Sequence, residues 1–162
     1  MDLSAYRHTE TITIDRPAAD VYAIVSDVTR IGELSPVCKS GSWDDVSQAG
    51  ATGAWFTGHN AIGDFTWDTR CKVVASEPDR EFSFVNFGAD GEQELVRWGF
   101  TLAGTDDKTE VAESWEVLPA YPDFVRTDDP NIDVKARIDG MAQMARDGMS
   151  ATLANLKRIA ES

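Results

Sequence analysis

Glu113 is the residue of this chain best placed to do chemistry. It lies in the run TEVAESWEV, 109–117, whose alternation puts Val111, Glu113, Trp115 and Val117 on one face and Glu110, Ala112, Ser114 and Glu116 on the other. A carboxylate on an apolar strand face loses hydration, so it must find a partner or hold a proton more tightly than it does in water. A carboxyl tuned toward neutrality is a general acid or base for a cyclisation or dehydration. Two plainer outcomes compete with that role: pairing with an arginine, or a position near the wet end of a cavity. Asn60 and Asn86 also fall on inward parity, suited either to orienting a ligand's carbonyl or hydroxyl or to satisfying local backbone. Cys71 points inward too; with no neighbouring base it is expected to be a small buried hydrophobe rather than a nucleophile. His8 and His59 are the only imidazoles, and His59, which shares parity with Trp55 and Thr57, is expected on the outer face.

Several function classes fall away. No GxSxG, Walker, GxGxxG, HExxH or EF-hand pattern occurs, which removes the common hydrolase, nucleotide and metalloenzyme classes. The two cysteines, Cys38 and Cys71, form neither a CxxC pair nor a Cys/His cluster, so no metal and no cofactor is expected. Acidic residues outnumber basic ones 28 to 15, for a net charge of −13, with no basic run to displace counterions from phosphates. Nucleic acid and charge-driven membrane binding are therefore not expected partners. The N-terminus lacks a basic segment followed by an apolar run, and no stretch approaches a membrane span. A cytoplasmic location without stable membrane insertion is the default expectation, as a monomer or homodimer.

The elements that must position Glu113 are mostly strands. Residues 8–14 alternate with Ile12 and Ile14 on one face. Asp15-Arg16-Pro17 then opens a helix bearing Val21, Ile24, Val25 and Val28 at helical spacing, and a short helical piece over 30–34 stops at Ser35-Pro36. From 37 to 118 the chain reads as strands joined by short turns, which makes sequential neighbours antiparallel. Alternation places Phe56 and Asn60 inward, then Trp67, Thr69 and Cys71, then Phe82, Phe84 and Asn86, then Trp98 and Phe100, and finally Glu113 and Trp115. The opposite face is largely polar, as in a sheet with one buried side. Residues 119–131, with three prolines, read as a long ordered loop carrying Tyr121 and Phe124, either a gate over a cavity or a plain crossover. A helix over 132–160 follows, with Met141, Ala145 and Met149 on its apolar face.

Geometry then implies a shape. One helix is ~10 Å wide, whereas six or seven strands at ~4.8 Å spacing span far more. The sheet must curl around the helix to cover its aromatic face, and a curled sheet gripping one helix commonly leaves a cavity. The expected architecture is a single α+β domain over 1–162, a curved antiparallel sheet of six to seven strands wrapped around a long C-terminal helix, with two short helices after the first strand. The methionines fit either a core or a pocket of loose specificity.

The segments ITIDRPAADVYAIVSDVTRIGELSP at 12–36, GAWFTGHN at 53–60, FTWDTRCKVVASEPDREFSF at 65–84, RWGFTL at 97–102 and TEVAESWEV at 109–117 resemble the START-like, or SRPBCC, superfamily. The resemblance is to its bacterial polyketide cyclase/dehydrase and lipid-transport group, and it covers nearly the whole chain. It implies a helix-grip fold with a hydrophobic cavity that receives lipids, polyketides, sterols or other apolar molecules. The expected function is binding or transport of a small hydrophobic molecule. A cyclase/dehydratase with Glu113 and a pocket asparagine is the enzymatic alternative, and a protein-interaction or co-chaperone module on the same fold is a third.

Overall fold

The computed structural model describes residues 1–162. Seven antiparallel strands form one sheet: β1 (Arg7–Ile14), β2 (Cys38–Trp43), β3 (Trp55–Ile62), β4 (Phe65–Glu77), β5 (Glu81–Phe87), β6 (Glu94–Gly104) and β7 (Thr109–Val117). Their order is β1-β7-β6-β5-β4-β3-β2. Strands β2 to β7 are thus a meander, and β1 closes onto its far end by pairing with β7. Helices α1 (Ala18–Val25) and α2 (Ile31–Leu34) follow β1, with α3 (Tyr121–Asp128) and α4 (Val134–Ala160) after β7.

Local chemistry explains the bends. Register shifts interrupt the ladders at Cys38/Ser40, Val73/Ala75 and Asn86/Phe87, and such bulges sharpen twist and curl a sheet. The β3–β4 hairpin turns at Gly63, whose φ of 59° suits glycine. Gly41 lets β2 touch the turn at Val28, where a Cβ would lie 2.5 Å from a backbone oxygen. Helix α4 starts on Asp133, whose side chain accepts from the Ala136 N–H at 3.0 Å. Lys157 and Arg158 in its last turn oppose the negative end of the helix dipole.

The concave face of the sheet packs on α4 and α1 in two hydrophobic clusters. The first joins Phe56, Cys71, Val73, Phe82, Phe84, Phe100, Leu102 and Val111 to α1 and to Leu153 and Leu156 of α4. The second joins Leu95, Val96, Trp115, Val117 and α3 to Ile138, Ala142, Ala145 and Met149. Trp98 packs against both.

Two expectations need correction. The segment 119–131 is not a loop throughout, because 121–128 form α3 with Pro122 in its first turn. Proline at that position costs nothing, since its missing N–H would be unpaired anyway. Tyr121 is buried in the second cluster, and its hydroxyl accepts from Arg137 at 3.3 Å. Leu95, which alternates away from the inward Trp98 and Phe100 and so falls on the face read as largely polar, is buried with Tyr121 and Val125. A register shift lies beside it in β5–β6.

Candidate functional site

The inward strand positions form rows across the sheet, and the rows decide which sequence-predicted residues meet. One row runs Glu10–Glu113–Phe100–Phe82 from β1 to β5. The next runs His8–Trp115–Trp98–Phe84–Val73. Beyond it lie Val117, Val96, Asn86, Cys71 and Phe56, and then the pairs Gly58–Thr69 and Asn60–Trp67. The polar groups therefore fall at two places: His8, Glu10 and Glu113 beneath α4, and Asn60, Thr69, Cys71 and Asn86 on β3–β5. Glu113 and the asparagines stand on separate strands of the same face, with the tryptophans between them.

Burial grades along that face. Phe56 and Phe82 are fully buried, and Phe84, Phe100 and Trp115 nearly so. Asn60, Trp67, Thr69, Asn86 and Trp98 are only half-buried despite pointing inward. Past them the β3–β4 hairpin leaves Ile62 and Phe65 exposed, with Phe65 stacked on Trp67 at 5.3 Å. Burial on the concave face is thus complete near α1 and partial toward that hairpin. Phe124 of α3 covers Gly88, two residues beyond Asn86, where a Cβ would come within 2.8 Å of its ring. On α4, Ala145 and Met149 are buried and Met141 is half-buried at the edge of the second cluster.

The asparagines are partly committed. Asn60 Nδ2 donates to the Trp67 carbonyl at 3.2 Å and more weakly to Gly58 O and Thr69 Oγ1. Asn86 Oδ1 accepts from the Cys71 thiol at 3.2 Å. Burial pushes that thiol's pKa up to about 12, so Cys71 is a neutral donor and not a nucleophile. Brief iodoacetamide treatment of the native protein at pH 8 is expected to spare Cys71, which reacts only after unfolding; native labelling there would contradict its burial.

Glu113 is 4 % exposed, its Oε1 has no hydrogen-bond partner, and no arginine reaches it. Burial, followed by the neighbouring Glu10 carboxylate, raises its pKa to about 8. Glu10 is set the opposite way: a hydrogen bond from His8, 3.0 Å away, then one from Ser150 of α4 at 2.9 Å, hold it below the usual carboxylate range. Two carboxyls opposite each other are therefore split, one keeping its proton at neutral pH and one ionised. Sequence inspection missed Glu10, His8 and Ser150. Alternation within β1 does put His8 and Glu10 with Ile12 and Ile14, but nothing local says that β1 pairs with β7.

Other features lie outside this face. His59 bonds Asp68 at 2.9 Å and Ser42 at 3.1 Å on the outer side, as expected. No group of three or more His, Cys, Asp or Glu side chains is arranged to hold a metal ion. No helix is long and apolar enough to cross a membrane. An open groove of about 640 Å³ runs along Pro17, Ala18, Asp79, Arg80, Leu102 and Thr105 at the start of α1. Its mixed, exposed lining gives an apolar molecule little to bury against.

Over residues 6–161 the sequence matches the family described as polyketide cyclase / dehydrase and lipid transport. The chain belongs to that family. A polyketide-cyclase-like protein of Corynebacterium glutamicum, Cgl2372, is 33 % identical, with 96 % of this chain and 91 % of that one aligned at a TM-score of 0.68. The Zhui aromatase/cyclase from a Streptomyces species shares 15 % identity over 96 % of this chain and 93 % of its own, at a TM-score of 0.69. A START superfamily protein of Mycobacterium smegmatis shares 13 % over 96 % and 97 %, at 0.65. These two likenesses establish the START-like helix-grip fold. No curated protein matches the chain.

Proposed function

We propose that this family member binds a small apolar molecule between the concave face of its sheet and α4, as a carrier or receptor. The observation that supports this most directly is the half-burial of inward-facing Asn60, Trp67, Thr69, Asn86 and Trp98, beside a fully packed core. Large aromatic surface that faces inward yet stays partly wet gains free energy when an apolar guest covers it, at ~25 cal/mol per Å² removed from water. The few polar groups among it would fix the guest's orientation. The lining would comprise Trp67, Trp98, Thr69, Asn60 and Asn86, with Met141 adapting at the rim and Phe124 near the entrance. Titration with lipid, polyketide and flavonoid panels, followed by tryptophan emission, is expected to give saturable binding without conversion. Absence of binding across all three panels would contradict it.

One observation favours an enzymatic second reading: the split between protonated Glu113 and ionised Glu10. That pairing supplies an acid and a base on one face, as dehydration or cyclisation of a polyketide-like chain requires. Product released by the purified protein would establish it, and Glu113→Gln would then abolish turnover.

A further inference from the structure

Glu113 lies on the same concave face as the proposed ligand space, one row beyond Trp98 and Trp115 from Asn86. Glu113 sits at the seam of the two hydrophobic clusters. On β7 its inward neighbours are Val111 in the first cluster and Trp115 in the second, and on α4 the matching members are Leu153 and Met149. Trp98, half-buried, touches both clusters at this seam. A buried carboxyl with an unpartnered oxygen is costly in such a place unless something completes it.

We propose that Glu113 is the polar recognition point of that space and selects uncharged apolar molecules carrying a hydrogen-bond-accepting oxygen, such as a ketone, over carboxylates. The inference rests on the ligand-binding function above. It follows from what surrounds the group on every side. β1 presents Glu10 and His8, and β6 presents Phe100. α4 presents the Ser150 hydroxyl, which is committed to Glu10, while its buried side chains are all uncharged. Neither Lys nor Arg is among these neighbours. A ligand carboxylate would thus meet a second and a third carboxyl with no cation to neutralise it. An ammonium would have to carry its charge into an apolar seam, where a neutral Glu113 carboxyl does not balance it unless its proton is first released to solvent. A neutral oxygen needs neither, because a protonated carboxyl donates to it directly. Glu10 cannot serve in its place, since its oxygens already accept from His8 and Ser150.

The test uses the full-length protein and four probes of equal chain length: an alkane, a methyl ketone, a carboxylate and a primary amine. Binding is followed by tryptophan emission at pH 6.5 and pH 9. The ketone is expected to bind about tenfold more tightly than the alkane or carboxylate at pH 6.5, the scale of one hydrogen bond to a buried group. That preference should shrink at pH 9 as Glu113 loses its proton. His8 bonds Glu10, the residue opposite Glu113, so the comparison is repeated in His8→Gln, where the loss at pH 9 should persist. Glu113→Leu should lose the preference for the ketone over the alkane. Glu113→Gln, whose amide N–H replaces the carboxyl O–H as donor, should retain it at both pH values. Equal affinity for alkane, ketone and carboxylate in the wild type would overturn the inference while leaving ligand binding intact. So would preference for the amine, or a ketone preference that survives Glu113→Leu. Failure of all four probes would instead overturn the ligand-binding function itself.

Discussion

Glu113→Gln is expected to stabilise the protein at pH 8 by several kcal/mol relative to wild type and to leave it little changed at pH 4. In the folded chain Glu113 titrates at about 8 against an ordinary 4.5, because burial and then Glu10 disfavour its charge. Between those values the folded state holds a proton that the unfolded state has released. Stability contributed by the protonated form is therefore full below about pH 4.5 and is lost as pH rises through the folded value. A rise of that size corresponds to ~5 kcal/mol as an upper bound, and solvent relaxation around a buried charge reduces it to ~3. Carboxylates elsewhere, such as Asp44 beside Arg70, are shifted down and contribute stability in the opposite direction. The difference between wild-type and Glu113→Gln unfolding curves across pH 4–9 cancels those groups. A flat difference would mean that Glu113 is solvated or paired.

Phe82→Ala is expected to cost ~3–5 kcal/mol, the largest loss among the aromatic inward positions, whereas Trp67→Ala should cost ~1 kcal/mol or less. Phe82 is 0 % exposed and packs with Phe84 at 6.3 Å in the first cluster. Removing its ring leaves a void that rigid strands and α1 cannot fill. Trp67 instead is only half-buried, against exposed Phe65. Sequence parity ranks the two alike, so urea denaturation of both variants separates structural positions from those available to a guest. Similar losses for both would contradict the graded burial of the concave face.

The contrast between Phe82 and Trp67 marks the limit of what the chain's pattern reveals. Alternation in β4 to β7 assigns faces well because one side of the sheet is buried, and the closing helix is legible in its repeating apolar face. Those two features carry the architecture. Depth along the face is invisible to alternation, since it depends on where α4 and α1 cover the sheet. α3 was hidden because prolines at 119–131 read as breaks, although Pro122 occupies the helical turn that tolerates it. Glu10 was missed for a different reason. Its partner Glu113 lies across the β1–β7 ladder, joined by pairing between the two ends of the sheet's strands in sequence. Glu113 itself was legible because a single acidic residue interrupted an apolar parity.

The central claim is that a small apolar molecule enters between the sheet and α4 at the half-buried end of the concave face. Titration of isotopically labelled protein with a long-chain methyl ketone, observed through indole N–H and asparagine side-chain amide signals, tests it most directly. The account predicts saturable shifts at Trp67, Trp98, Asn60 and Asn86, with Trp55, which packs at a tilt against Phe87 at 4.9 Å on the outer side, unmoved. Shifts confined to Trp55, or none at any probe concentration, would contradict it.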